Sequence, residues 1–341
     1  MKWSFSKPKE WLRITFSIVV SLGASAWADP EAAAAELIKT TLRVGFSNCS
    51  FSNINRTDAE AAFKMFTVNV GRERGYDMIA QTEVFDDVAV LAKAIEQGGL
   101  HLIIVSTWEY MSLDLQNYIE PVYVPREDKE IVMKDNLVLT QREKDVKTLT
   151  ELKGKSVLLL SKANTTMTKH WLDTLLMENG LGTGETFFGS LKETYKVTSV
   201  ILPVFFGSAD ACVVDRSAFD TMQELNPQIG AKLKIFAASP PFLDSIICVS
   251  KAGWDPPNSS PEYRQDLIQA LGDLHKDLAG QQILTLFKVN QMVPFKDEYL
   301  DSVRQLYENY LQLTRKPSEP GPKKIVRSVH AAPSGKKSKT R

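Results

Sequence analysis

The chain has 341 residues, in which 41 Lys plus Arg are balanced by 41 Asp plus Glu. The balance is a cancellation. Residues 1–28 set Lys2, Lys7, Lys9 and Arg13 against Glu10, residues 315–341 set nine basic groups against Glu319, and the body between them is left with a net charge of −11. So acidic a body excludes a nucleic-acid-binding domain, which would need a basic face. A content of 43% apolar and 24% charged residues excludes a disordered or fibrous chain, and the length suits two lobes better than one core.

The first segment reads as an address. Lys2 to Arg13 form a basic region, Ile14 to Ala24 a short apolar stretch, and Ala26-Trp27-Ala28 a small-x-small site. This is the pattern of a secretory signal over residues 1–28, cleaved before Asp29 and giving an exported, periplasmic protein. The stretch falls short of the ~20 residues that a spanning helix needs, and no later window is long and apolar enough. Of the three cysteines, Cys212 and Cys248 lie in buried-strand patterns, where Cys acts as a small apolar residue, and Cys49 is left without an obvious partner. Neither a CxxC nor a histidine cluster occurs, so no structural zinc and no cofactor is expected.

In chain order, Leu42–Phe46 is a short apolar run bounded by polar residues, hence a strand. Thr57 and Glu60 have capping-box spacing and open a helix to about Arg74. A strand around Tyr76–Thr82, a helix around Asp86–Gln97 and a buried strand at Leu100–Ser106 complete a βαβαβ rhythm, the mark of a parallel sheet covered on both faces. Strand patterns follow at Tyr118–Val124 and Asn136–Thr140. A second unit begins near Leu149, with a turn at Leu152–Lys155, a strand at Ser156–Leu160 and a helix from about Thr165 to Glu178. A helix near Thr198–Phe206 and a strand at Ala209–Val214 continue it. Beyond Pro240-Pro241 come a strand at Ser245–Ser250 and two long helices. The first, Glu262–Ala279, carries Leu267, Leu271, Leu274 and Leu278 on one stripe. The second, Asp297–Leu313, carries Val303, Leu306, Tyr310 and Leu313.

These patterns predict a two-lobed α/β protein, each lobe a mostly parallel sheet flanked by helices. Lobe 1 is expected from residues 38–125 plus 240–314, and lobe 2 from residues 126–239. Connectors with Pro at Val124–Asp128 and Ala237–Phe242 make a two-strand hinge. Residues 315–341, rich in Pro, Ser and Lys, are expected to be a disordered basic tail.

Catalytic signatures are missing: the sequence has no GxSxG, HExxH, P-loop or GxGxxG. His170, near Asp173, is expected on the exposed side of a helix whose buried stripe is Met167, Trp171 and Leu175. Polar segments recur at strand ends instead, where ligands of open α/β sheets bind. One runs from Ser47 to Asn53, a second from Ser106 to Tyr110, and a third from Ser161 to Thr166, opening a helix whose free N–H groups attract anions. Trp108 and Phe51 are expected to wall the shared cleft.

Gly98–Tyr110 (GGLHLIIVSTWEY), Leu152–Gly180 (LKGKSVLLLSKANTTMTKHWLDTLLMENG) and Val204–Asp215 (VFFGSADACVVD) resemble the phosphate/phosphite/phosphonate-binding proteins of bacterial ABC importers, from about Leu42 to Leu313. The resemblance implies a type II periplasmic-binding fold, two α/β lobes closing over a ligand without catalysis. Tyr110 falls where that family sets a tyrosine against the ligand, and Asn164-Thr165-Thr166-Met167 on its anion turn. Asp215 falls near an acidic position that can meet an amino group. The chain departs from the family at His101, in place of an aspartate, and at Met167, in place of a glycine. The family's ligand-contacting histidine has no counterpart, and the nearest positive group is Lys196, with Thr198 and Ser199 beside it.

The expected function is that of a periplasmic receptor clamping a small oxyanion, of the phosphate, phosphite or phosphonate kind. Its site is expected from Ser47, Trp108, Tyr110, Asn164, Thr165, Thr166, Lys196 and Asp215. Its partner would be an ABC permease in the inner membrane, with the receptor itself a monomer that binds no nucleic acid. Two rivals are a ligand-sensing module for a membrane kinase and an enzyme on the same fold, which would draw on Glu109, Lys196 and Asp215.

Overall fold

The apolar runs of the two units become two sheets joined by two chain crossings. The computed structural model describes residues 37–48, 56–127, 130–160, 166–254 and 262–315; the segment expected to be a signal, Cys49, Phe51 and residues 316–341 lie outside them. The chain enters with β1 (Ile38–Ser47), passes through α1 (Arg56–Glu73) to β2 (Tyr76–Phe85), and through α2 (Val88–Glu96) to β3 (Leu102–Ser106). β1 lies parallel to both β2 and β3, as the βαβαβ rhythm demands. α3 (Thr107–Ser112) leads to β4 (Ile119–Glu127), against which β5 (Glu130–Ile131) folds back.

β6 (Met133–Lys134) carries the chain into the second sheet, built from β7 (Asn136–Gln141) and β8 (Ser156–Leu160). After these come α4 (Thr166–Glu178), α5 (Gly184–Phe187), β9 (Ser190–Thr194), α6 (Val197–Phe206), β10 (Ala211–Asp215), α7 (Arg216–Leu225), α8 (Pro227–Lys232) and β11 (Leu233–Ala238). The sheet order is β11-β7-β10-β8-β9. β12 (Phe242–Leu243) returns the chain, and β13 (Ser245–Ser250), α9 (Tyr263–Gly272), α10 (Leu278–Leu286), β14 (Gln291–Pro294) and α11 (Asp301–Thr314) complete it. The first sheet reads β14-β4-β13-β3-β1-β2, with β5 beside β4.

Parallel pairing holds for the strands that open each unit, β1 with β2 and β3, and β8 with β9 and β10. The remaining strands enter antiparallel: β13 lies between β3 and β4, and β7 between β10 and β11. Each sheet is therefore a parallel set into which an antiparallel strand is inserted, β13 in the first and β7 in the second. The reason is topological, since strands that follow a crossing between lobes have no βαβ unit to set their direction.

The central strands of both sheets are buried on both faces, which is why they read as continuous apolar runs. Successive side chains alternate between the faces. In β13, Ile247 and Val249 pack with α1 and α9 residues such as Phe66 and Leu267. Ile246 and Cys248 pack on the other face with Leu91 and Ile95 of α2. In β10, Ala211 and Val213 meet Trp171 and Leu172 of α4, while Cys212 and Val214 meet Val200 and Val204 of α6. Cys212 and Cys248 are free and buried, and burial pushes both thiols up, so they serve as the apolar residues expected.

The helix expected over Glu262–Ala279 is divided. α9 stops at Gly272, and α10 restarts with Asp277 as N-cap, its carboxylate accepting the Gly280 N–H at 2.8 Å. Gly272 is required there, because a Cβ would lie 2.5 Å from the Tyr123 hydroxyl. Leu267, Leu271 and Leu274 keep the buried stripe, but beyond the break Leu278 is 73% exposed. α11 sends Val303, Leu306, Tyr307 and Tyr310 into the cluster that covers the second sheet, against α4.

Candidate functional site

The two crossings pair with each other as a short antiparallel ribbon, Phe242 opposite Lys134 and Leu243 opposite Met133. The carboxyl ends of strands from both sheets arrive at this ribbon. Ser106, ending β3, pairs with Ser245, and the Thr107 N–H and Oγ1 donate to the carbonyls of Asp244 and Leu243 at 3.0 and 2.5 Å. Asp215, ending β10, pairs with Asn136, and the Arg216 N–H donates to the Asp135 carbonyl at 3.0 Å. Two opposite-charge pairs flank the ribbon, Lys134 with Asp244 at 2.5 Å and Arg216 with Asp135 at 2.6 Å. Lys134 and Asp135 are neighbours in the chain, so adjacent residues of one crossing are tied to the returning crossing and to the start of α7. Such a pair of crossings is a hinge.

On the first sheet the strand-end hydroxyls converge on one acid. Ser106 caps α3, and Glu109 reaches back to close a capping box. The Glu109 carboxylate accepts the Ser106 N–H and Oγ–H, each at 2.9 Å, and the Ser47 Oγ–H at 2.6 Å. Ser47 is 1% exposed. Tyr110 is buried in the core beneath this end, beside Leu115 and Leu243, and burial pushes its phenol up to about 12.

Trp108 meets partners from two other helices. It stacks on His170 of α4 at 4.0 Å, with ring planes 15° apart. Tyr307 and Tyr310 of α11 stand edge-on to it at 5.3 and 5.6 Å, and Tyr310 also stands 4.5 Å from His170. Trp108 thus fastens α3 of one lobe to α4 of the other under α11. His170 is not the solvated surface histidine expected. Its Nδ1 is buried without a hydrogen-bond partner, and burial pulls the imidazole down to about 4 against the opposing pull of Asp173. A stripe drawn on α4 alone could not anticipate this, because the covering residues come from α3 and α11.

On the second sheet, Asn136 is buried at the start of β7. Its Oδ1 accepts the Thr168 hydroxyl at 2.8 Å, and its N–H donates to Ser239 Oγ at 2.8 Å. Asp215 caps α7, accepting the Ala218 N–H at 2.8 Å and the Ser217 hydroxyl at 2.6 Å. Lys196 stands exposed just before α6, its Nζ 5.9 Å from the centroid of the Tyr195 ring. Thr166 opens α4; Asn164 and Thr165 lie outside the described residues. Arg216 and Asp135 belong to no recognised motif. The available signal was the Asp-Arg pair closing the run Ala211–Asp215, a cation set at a strand end.

His101 takes a different course at the opposite end of β3. It is 1% exposed and stacks on Trp254 at 4.9 Å. Its Nδ1 lies 3.3 Å from the donating Arg43 N–H, and its Nε2 lies 2.9 Å from Arg43 Nη2 and 3.2 Å from the Gly253 carbonyl. Burial and the Arg43 guanidinium hold it down to about 4. Among the described residues, no His/Cys/Asp/Glu group could hold a metal ion, and no helix is long and apolar enough to cross a membrane.

Residues 51–300 match the family described as ABC transporter, phosphonate, periplasmic substrate-binding protein. No curated protein matches the chain. Among solved structures, XAC2383 from Xanthomonas citri bound to ATP superposes with a TM-score of 0.60 at 16% identity, over 80% of this chain and 98% of that one. A binding-protein component of an ABC phosphonate transporter from Pseudomonas aeruginosa (PA3383) gives 0.55 at 11% identity, over 80% and 87%. PhnD1 from Prochlorococcus marinus in complex with methylphosphonate gives 0.53 at 14% identity, over 79% and 97%. At such identities the likeness establishes the fold, a two-lobed type II periplasmic-binding architecture.

Proposed function

Since the chain belongs to the periplasmic phosphonate substrate-binding proteins of ABC transporters, we propose that it is the exported receptor of an importer, clamping a small oxyanion of the phosphate, phosphite or phosphonate kind between its lobes. The family is one of transport binding proteins rather than enzymes. In this reading residues 1–28 are a cleaved signal, and the mature protein works as a monomer that delivers ligand to an inner-membrane permease. Closure is ligand-driven: one lobe holds the ligand first, and the closed form gains the other lobe's donors, so ligand shifts the population toward it.

The observation that carries the reading is the meeting of the carboxyl ends of β3 and β10 at one paired ribbon. Ligands of open α/β sheets bind at such ends, and a cleft over a hinge couples binding to closure. Ser47, Trp108, Tyr110, Asn164, Thr165, Thr166, Lys196 and Asp215 are the ligand-binding set proposed from the sequence; in this structure Ser47 is held by Glu109, Trp108 and Tyr110 are packed in the core and Asp215 caps α7. The test is thermal unfolding with phosphate, phosphite and methylphosphonate. Stabilisation that saturates with one of them is expected, since a ligand at a hundredfold over its Kd adds about 2.7 kcal/mol. A flat response to all three at millimolar concentration sinks the oxyanion reading.

A further inference from the structure

Arg216 is the first residue of α7, directly after the carboxyl end of β10, and its side chain is 41% exposed. Its Nε donates to Asp135 Oδ2 at 2.6 Å. Its backbone N–H donates to the Asp135 carbonyl at 3.0 Å. Asp135 stands in the first crossing between the sheets, immediately before β7. Arg216 is therefore held by Asp135 at two points, its backbone and the guanidinium Nε, while the edge formed by its two Nη groups has no partner among the described residues. A guanidinium is planar and rigid. Fixing Nε sets the direction of the Nη edge, the edge that takes two oxygens of a carboxylate, phosphate or phosphonate together.

The neighbouring polar groups leave this task to Arg216. Asp215 spends its carboxylate on Ala218 and Ser217. Lys134, on the other side of the ribbon, has its ammonium 2.5 Å from Asp244, whose side chain is 16% exposed. Lys196 projects from the far edge of the sheet, after β9, beside Tyr195. On the first sheet, Ser47 and Ser106 already turn their hydroxyls on Glu109.

We propose that Arg216 receives the anionic group of the ligand on its Nη edge, with Asp135 as the positioning residue that aims it across the hinge. This rests on the oxyanion-receptor reading and adds to it a specificity-determining cation. It also links ligand to closure. The side chain that meets the anion is anchored to Asp135 in the crossing, and the preceding residue, Lys134, is anchored to Asp244 in the returning crossing, so an anion on Arg216 loads the segment that must move.

The experiment is titration calorimetry of the full chain with inorganic phosphate, methylphosphonate and 2-aminoethylphosphonate, on the wild type, Arg216→Gln, Arg216→Lys, Asp135→Asn and the Asp135→Asn/Arg216→Gln double variant. Arg216→Gln is expected to weaken the best of these ligands at least tenfold, and Arg216→Lys, which keeps charge but not the two-pronged edge, to fall between. Arg216→Lys also answers the question if Arg216→Gln proves unstable. The loss caused by Arg216→Gln is expected to persist in the Asp135→Asn background. Wild-type affinity in Arg216→Gln overturns the proposal, as does a loss that vanishes once Asp135 is Asn, since Arg216 would then act only on the hinge. Failure of the wild type to bind any of the three overturns the oxyanion reading itself, and Arg216's role with it.

Discussion

The strand ends of the two lobes obey one topological rule and reach opposite electrostatic outcomes. On the first sheet, Ser47 and Ser106 would be donors for an anion, but Glu109 already holds both hydroxyls and the Ser106 N–H. On the second, the acid Asp215 is consumed in capping α7, and the cation Arg216 keeps an open edge next to the crossing. The difference teaches that a polar residue at a strand end has two employers, the helix that starts there and the ligand that lands there. Only hydrogen-bond accounting tells which has claimed it.

The largest test of this comparison is the ring that joins the two regions. Trp108→Ala removes the contact of α3 with His170, Tyr307 and Tyr310. It is expected to cost about 3–5 kcal/mol in urea unfolding, with Trp108→Phe costing less. A loss below 1 kcal/mol would mean that the lobes are joined elsewhere.

Acid comes next, and it acts through the buried His101 and the half-buried His170. His101 and His170 are each held down to about 4, mainly by burial, against 6.5 unfolded. Between those values the unfolded chain binds more protons, so stability falls as pH is lowered from 6.5 toward 4 and levels off below. The contribution of His101, which is buried, is the larger, and that of the half-buried His170 is reduced by solvent screening. His170→Phe keeps a ring against Trp108 and is expected to flatten the part of this slope due to the lobe junction, leaving the part due to His101. Urea midpoints across that pH range measure both, and an unchanged slope in His170→Phe refutes the assignment.

Smaller effects separate capping from ligand binding. Glu109→Ala deprives the α3 N-terminus and Ser47 of their acceptor, with an expected loss of about 1–2 kcal/mol. Glu109→Gln can still close the capping box and is expected to lose under 1 kcal/mol in the same melts. At the bottom of the scale, Lys196→Ala alters an exposed side chain and is expected to move stability by less than about 0.5 kcal/mol. Any effect it has should therefore appear in ligand titrations alone, and a large shift in melting would show that Lys196 serves packing.

Much of the fold was legible in single stretches. Ser156–Leu160 and Ser245–Ser250 are strands over the very residues expected, because a strand buried on both faces writes its whole length as apolar residues. β9 (SLKET) and β14 (QMVP) went unseen. Both are edge strands, one polar and one only four residues long and ending in Pro, that exist through pairing with a neighbour. The leucine stripe of Glu262–Ala279 was right to Leu274 and failed at Asp277, a residue equally good inside a helix turn or as the cap of a new one. Of the site, the strand-end positions Ser47, Trp108, Tyr110 and Asp215 could be named in advance, since they follow from where apolar runs stop. Their engagements could not. Ser47 meets Glu109 from 62 residues away, and Trp108 meets His170 and Tyr310 from other helices.

The order of residues was thus enough for the two α/β lobes, the buried strands, the cysteines as core and the strand ends as the place to look, because periodicity and caps are local properties that survive without a partner. Folding alone decided the mixed strand directions, the ribbon at the crossings, the burial of His170 and the open edge of Arg216. These depend on which distant surfaces meet, and the free energy of such contacts belongs to both surfaces rather than to either stretch of chain.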